Sequence, residues 1–182
     1  RDGIPCAVAD VPFCGSGSIL SGTSPMIRNE KLPVPFEAST DYADIARLAR
    51  TLVVNAKLRQ TTVLVVKNDV ENDVESAAEK RFGIRFVNKT AADLMSVFDS
   101  IDDGEASALA GKWTGEAVKT VEPSHSDIIE SAKIYLAIKK MIKETAADAV
   151  TIACLELSYN DVYGKSRHMY PCFSHFQMAD DG

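Results

Sequence analysis

The sequence predicts an α/β fold with a doubly wound, Rossmann-like parallel sheet and helices on both faces. From residue 61 onward, short apolar segments alternate with amphipathic helical segments. The segments TTVLVVK (61–67) and AVTIACL (149–155) are apolar or β-branched almost throughout, which is typical of strands buried on both faces. Strands and helices that alternate in this way form a parallel sheet covered by helices.

The first sixty residues are predicted to contain a strand, a loop, a short apolar segment and a long helix. The strand is the apolar run 4–9, and the segment with three glycines at 12–22 is the loop. Two prolines in the apolar segment 32–36 argue against a central strand. Ser39 or Thr40 is predicted to cap a helix that continues to about Gln60.

The later helices carry start and stop signals. Two begin with predicted capping boxes, formed by Thr90 with Asp93 and by Ser124 with Asp127. Gly83 is predicted to end an earlier helix in the left-handed conformation that glycine favours. The predicted helices cover 71–82, a segment that starts at 90, 102–121, 124–145 and a segment that starts at 171, with a short strand at 84–87.

Composition limits the class of protein. The chain has 182 residues, of which 46% are hydrophobic and 25% are charged, so it can bury a sizeable core. No apolar run approaches the about 20 residues of a membrane span, and the first residues lack a signal-peptide pattern. The net charge is −6, and Lys and Arg do not cluster, which argues against nucleic acid as a ligand.

The four cysteines fit neither a paired CxxC metal site nor a dense disulfide framework, so we expect reduced thiols and a cytoplasmic location. There is no initiator Met, and the first residues already have a strand pattern. We therefore interpret the chain as a segment of a larger protein.

In parallel α/β sheets, ligands bind beyond the carboxyl ends of the strands. Three predicted loops lie at such ends, at 10–18, 68–71 and 156–170, and the last is richest in polar and aromatic residues. Glu156 directly follows an apolar strand and is the best polar candidate for a binding residue, although a solvated loop glutamate fits the pattern equally well.

Two other features permit a functional and a structural interpretation. The turn Gly15-Ser16-Gly17 offers backbone N–H groups to an anion, but it lacks the third glycine of a dinucleotide fingerprint and the lysine of a P-loop. We expect a tight turn there instead. Trp113 and Tyr135 have apolar neighbours and are predicted to be core or domain-interface residues, not ligand platforms.

The cysteines and histidines near the end of the chain raise two more possibilities. Cys154, His168, Cys172 and His175 are four possible zinc ligands, but their spacing matches no common zinc pattern, and the alternative is core cysteines with surface histidines. Cys172 follows Pro171 at a predicted helix start, where a thiolate is favoured. The sequence does not reveal a third group to orient such a nucleophile.

Four segments resemble the middle of the L-fucose/L-arabinose isomerase-like family. They are IPCAVADVPFCGSGSIL, DYADIARLARTLVVNAKLRQTTVLVV, VEPSHSDIIESAKIYLAIKKMIKETAADAVTIACL and YPCFSHFQMADDG. The resemblance implies a cytoplasmic aldose–ketose isomerase that interconverts sugars by enediol proton transfer. It also implies that residues 1–38 are the tail of a first Rossmann-like domain, and that 39–182 are most of a second one, which begins with a connecting helix.

The family resemblance implies a cofactor as well. Members bind Mn²⁺ or another divalent metal through a Glu, an Asp and a His, which would lie beyond Gly182, so we expect no metal on this chain alone and no isomerase activity from it in isolation. Glu156 and Tyr159 are the positions that the resemblance assigns to substrate binding. It implies a homo-oligomer with a monosaccharide substrate. The alternative is a non-catalytic sugar-binding or regulatory module with a Rossmann-like fold.

Overall fold

The computed structural model describes residues 5–12, 17–68, 73–155 and 170–181. The chain divides into two compact units, Arg1–Gln60 and Thr61–Gly182. The assignment of 1–38 and 39–182 to two Rossmann-like domains stays a prediction. No helix in the described part of the chain is long and apolar enough to cross a lipid bilayer.

The first unit contains a parallel two-stranded sheet and two helices. Its elements in chain order are β1 (Val8–Asp10), α1 (Gly17–Asn29), β2 (Phe36–Ala38) and α2 (Tyr42–Leu58). The two strands pair in parallel, with Val8 opposite Phe36. Asp41 caps α2, since its side chain accepts a hydrogen bond from the backbone N–H of Ala43 at 2.8 Å.

Three predictions for this unit were wrong, and one of them is the helix cap, since α2 is capped by Asp41 and not by Ser39 or Thr40. The helix α1 begins at Gly17, inside the segment predicted as a loop, and it contains Gly22 and Pro25. Glycine and proline both lower the stability of a helix, which is why the sequence pattern predicted a loop. This loss of stability affects only the turn that contains the residue. The neighbouring turns keep their hydrogen bonds, such as the one from the Glu30 N–H to the Met26 C=O at 3.0 Å. The strand predicted at 4–9 is shorter than expected, since β1 covers only Val8–Asp10.

The second unit has helices around a three-stranded sheet. Its elements are β3 (Thr62–Val66), α3 (Asp73–Phe82), β4 (Arg85–Lys89), α4 (Ala91–Asp99), α5 (Asp103–Glu116), α6 (His125–Thr145), β5 (Ala149–Ile152) and α7 (Cys172–Asp181). The strand order is β4-β3-β5, and both neighbouring pairs are parallel. The predicted α/β class with parallel sheets is therefore confirmed.

The helix ends follow the local sequence signals. Both predicted capping boxes are present, at Thr90 with Asp93 and at Ser124 with Asp127. Gly83 has a φ of 75°, the left-handed conformation that ends α3. The helix α5 is shorter than predicted and ends at Glu116, because the next residue is extended.

The main core lies between one face of the sheet and two helices. Leu64, Val66 and Ile152 point to the same face, and they pack against residues of α4 and α6 that include Phe98 and Ile138. The strand β5 has only β3 as a neighbour among the described strands, and its Ala149 and Thr151 are exposed. The prediction that 149–155 is a strand buried on both faces was therefore wrong, since β5 is short and lies at the edge of the sheet that the described residues form.

A second apolar cluster joins the outer helices. Ala110 and Trp113 of α5 pack against Ala132 and Tyr135 of α6, and Met178 of α7 contacts both clusters. Trp113 and Tyr135 are each 8% exposed, so the prediction that they are core residues is confirmed. That neither ring is a ligand platform stays a prediction for Tyr135, whereas Trp113 also lines a cavity.

Candidate functional site

The carboxyl end of β3 carries a charged pair that binds it to the next helix. The Lys67 ammonium donates to Glu75 Oε1 at 2.6 Å, and the two side chains are only 16% and 15% exposed. The hydrogen bond from Lys67 holds the pKa of Glu75 below its ordinary value. This partly buried pair fixes the start of α3 beside the end of the strand.

Asn68, the residue after Lys67, connects a second helix to the same end of β3. The Asn68 side-chain oxygen accepts a hydrogen bond from the backbone N–H of Ala91 at 3.1 Å. Ala91 is the first residue of α4. The end of β3 is thus connected to the N-terminal ends of α3 and α4.

The directions of the helices show which ends of α5, α6 and α7 lie on the side of the carboxyl ends of the strands. Because α6 joins the start of β5 through only three residues, 146–148, its N-terminal end lies toward the carboxyl ends of the strands. Phe173, at the start of α7, packs edge-on against Trp113 near the end of α5, with ring centroids 4.8 Å apart. The start of α6, the end of α5 and the start of α7 therefore meet in the outer helical layer, on the side to which the carboxyl ends of the strands point.

A cavity of about 380 Å³ opens at this place, and we call it the carboxyl-end pocket. Its apolar walls include Trp113, Ile128 and Phe173. Trp113 is only 8% exposed, and its ring is held in an edge arrangement by Tyr135 on one side and Phe173 on the other. The pocket has the size and the aromatic lining of small-molecule sites in proteins.

The polar groups of the pocket are mainly hydrogen-bond acceptors. The hydroxyls of Thr114 and Ser131 donate to the carbonyl oxygens of Ala110 and Asp127, each at 2.8 Å, which leaves their lone pairs as acceptors for a ligand. The Asp127 carboxylate also lines the pocket, and hydrogen bonds from the side chain and backbone N–H of Ser124 hold its pKa below the ordinary value. Lys119 adds a cationic donor.

A larger groove of about 770 Å³ lies at the opposite end of the same unit. Its walls come from the second half of α6, the start of β5 and the end of α7, and they include Lys143, Val150 and Met178. Ligands of parallel α/β folds bind at the carboxyl ends of the strands. The residues that line the smaller carboxyl-end pocket belong to α5, α6, α7 and the connection between α5 and α6, and not to a strand. It lies on the side to which the carboxyl ends of the strands point, whereas the larger groove is lined by the start of β5, so the smaller pocket is the better candidate site.

The predicted substrate-binding residues Glu156 and Tyr159 lie outside the described residues, and so do Gly15 and Ser16 of the predicted Gly15-Ser16-Gly17 turn, while Gly17 is the first residue of α1. The described residues that flank the first two, Leu155 and Tyr170, are exposed. The site role of Glu156 and Tyr159 stays a prediction.

The described residues do not form the possible zinc site. Cys154 is half-buried at the end of β5, while Cys172 is exposed at the start of α7. His175 is half-buried, and His168 lies outside the described residues. Within 5–12, 17–68, 73–155 and 170–181, no three His, Cys, Asp or Glu side chains are placed to hold a metal ion. The Mn²⁺ that the family resemblance implies stays a prediction.

The sequence interpretation missed the pocket itself. Trp113, Lys119 and Phe173 come from α5, from the connection after it and from α7, so no motif or spacing joins them. The available signals were a single tryptophan near a helix end and an aromatic residue directly after Cys172.

No protein-family model matches the chain.

Proposed function

We propose that the second unit is a doubly wound, Rossmann-like domain. The chain passes from β3 to β4 on one side, and then to β5 on the other side of β3. Because crossovers between parallel strands are almost always right-handed, this reversal puts α3 on one face of the sheet and α4 with α6 on the other. The 5% exposure of Val65, which points away from the α4–α6 face, supports a covered second face.

The domain, in our proposal, binds a monosaccharide in the carboxyl-end pocket. The observation that carries this proposal is the lining itself, in which the Trp113 and Phe173 rings lie beside acceptor oxygens of Thr114, Asp127 and Ser131. A sugar presents C–H surface on its ring faces and hydroxyl donors around its rim, so it complements both kinds of wall. The lysine at residue 119 supplies a donor for a ring or carbonyl oxygen.

The reaction that we propose for the full-length protein is aldose–ketose isomerisation. Its support is the resemblance of the four quoted segments to the L-fucose/L-arabinose isomerase-like family. In that reaction a divalent metal such as Mn²⁺ acts as a Lewis acid. The role of the described residues is limited to sugar binding, with Glu156 and Tyr159 as further proposed contacts.

We also propose that the full-length protein is cytoplasmic and forms a homo-oligomer.

One observation favours the alternative, a non-catalytic sugar-binding module. Asp127, the carboxylate of the pocket, accepts hydrogen bonds from the Ser124 backbone and hydroxyl at 2.7 Å each and caps α6. A carboxylate held in this way is suited to binding a hydroxyl group, and less suited to transferring a proton.

Binding can be tested through Trp113, the single tryptophan of the sequence. Titration with L-fucose, L-arabinose and D-glucose should change its fluorescence saturably for at least one sugar, with a Kd of about 1 mM, as expected for so small a ligand. Phe173→Ala should weaken binding about tenfold, measured by calorimetry, because it removes an aromatic wall. The matched control is Phe82→Ala, since Phe82 is 40% exposed on α3 and is not among the pocket residues.

Saturable binding that Phe173→Ala leaves unchanged would reject this pocket as the site. Ketose formation from the bound aldose, assayed on the full-length protein with and without Mn²⁺, separates the two candidate functions. Turnover that Mn²⁺ raises supports the isomerase, and binding without turnover under both conditions supports the binding module.

A further inference from the structure

The helix α7 contributes to the pocket at one end and is fixed to α6 at the other. Phe173, in its first turn, forms a pocket wall against Trp113. At its last residue, the Asp181 carboxylate accepts hydrogen bonds from the Tyr135 hydroxyl and from the Lys139 ammonium, the latter at 3.0 Å. We call Asp181, Tyr135 and Lys139 the α7 clamp.

Besides the packing of Phe173 on Trp113 and the buried Pro171 just before the helix, few other groups hold α7 in place. Ser174 is its only buried residue among those described, and Met178 is half-buried between the two apolar clusters. A ten-residue helix without a continuous apolar stripe has little burial energy to fix its position. Its orientation therefore depends strongly on the polar contacts at its end.

The clamp reaches the pocket by two physical routes. One route is the helix itself, which spans about 12 Å from Phe173 to Asp181 and moves as a rigid rod. The other route is Tyr135, whose hydroxyl donates to Asp181 while its ring lies edge-on to Trp113, with centroids 5.6 Å apart. Both routes end on the pair of aromatic rings that line the pocket.

We propose that Asp181 is a positioning residue for the carboxyl-end pocket. By holding α7 and the Tyr135 ring, it keeps Phe173 and Trp113 at the separation that the ligand requires. As a statement about sugar affinity, the proposal rests on the proposed function. The coupling between the clamp and the aromatic walls is a property of the unliganded protein and can be measured without a sugar.

The first experiment measures acrylamide quenching of Trp113 fluorescence in the unliganded protein. Asp181→Asn weakens the clamp, so the quenching constant should rise about twofold as the packing of Phe173 on Trp113 loosens. Asp180→Asn is the matched control, because it removes the same charge from the neighbouring exposed position, and it should leave quenching unchanged. Equal quenching in folded Asp181→Asn and in the wild type would overturn the proposal.

Tyr135→Phe provides a second test if Asp181→Asn does not fold. This variant keeps the buried ring and removes only the hydroxyl that donates to Asp181. It should raise the quenching of Trp113 in the same direction. Wild-type quenching in folded Tyr135→Phe would contradict the coupling through this side chain.

The second experiment measures aldose affinity by calorimetry, with the sugar that the wild type binds best. Asp181→Asn should raise the Kd about fivefold, Asp180→Asn should not change it, and Asp181→Glu should recover part of the loss. An unchanged Kd in Asp181→Asn would exclude a positioning role. If the wild type binds no aldose, the proposed function fails, while the quenching experiment still decides whether the clamp acts on the aromatic walls.

Discussion

At the residue scale, the pair of Lys67 and Glu75 shows how a charged contact supports the candidate site. The pair lies at the end of β3, with both side chains mostly buried. The pKa of Glu75 is lowered in the folded state, chiefly by the hydrogen bond from Lys67. A carboxyl group with a lowered folded-state pKa stabilises the fold above its unfolded pKa of about 4.3, and this stabilisation is lost as the pH falls through the folded-state pKa.

Glu75→Gln should therefore lower the free energy of unfolding by about 1–3 kcal/mol at pH 7, because it removes a charged hydrogen bond. The cost should be smaller at about pH 3, because the stabilisation from a carboxyl group with a lowered folded-state pKa diminishes as the pH falls below the unfolded value of about 4.3. Urea denaturation at the two pH values measures both quantities. Glu122→Gln, at an exposed position, is the control. An equal cost at both pH values would show that the ion pair does not stabilise the fold.

The centre of the core gives a second residue-scale prediction. Ile138 is fully buried in α6, among the residues that pack against Leu64 and Val66. Ile138→Ala should lower the free energy of unfolding by about 2–5 kcal/mol, since it leaves a cavity. The matched variant is Ile129→Ala. Because Ile129 is only half-buried in the second cluster, this substitution should lower the free energy of unfolding by less than Ile138→Ala does. Equal losses in urea denaturation would contradict the assignment of the core.

At the element scale, α6 connects the core to the pocket, and its first turn depends on Ser124. The Ser124 hydroxyl accepts a hydrogen bond from the Asp127 backbone N–H at 3.3 Å, and Asp127 lines the pocket. Ser124→Ala should lower the free energy of unfolding by about 1 kcal/mol. Ser126→Ala is the control two residues further on, inside the helix. Equal stability of the two variants in thermal denaturation would argue against the capping role.

Local signals allowed several elements to be predicted from the sequence. Side chains at Thr90 and Ser124, and the conformational freedom of Gly83, fix helix ends through contacts with residues close in the chain. The edge position of β5 could not be predicted in this way, because an apolar strand pattern does not reveal how many neighbours a strand has. The pocket was missed for a similar reason, since Trp113 and Phe173 meet only through the packing of α5 and α7 on α6.

At the scale of the whole molecule, apolar burial is concentrated in the second unit. None of the described side chains in residues 5–12 and 21–60 is a buried hydrophobic one, and α2 has no buried residue. Hydrogen exchange should therefore be slowest in β3 and in the middle of α6, and much faster in α2, because local opening costs least where burial is small. Exchange as slow in α2 as in α6 would contradict this division of stability.

The central claim is that a monosaccharide binds in the carboxyl-end pocket. Its most direct test is NMR chemical-shift mapping during titration with the aldose that quenches Trp113 fluorescence most. The largest changes should fall on Trp113, Thr114, Ile128 and Phe173, with small changes at Val150 and Lys143 in the larger groove. Changes centred on that groove, or no changes at sugar concentrations above about 50 mM, would contradict the claim.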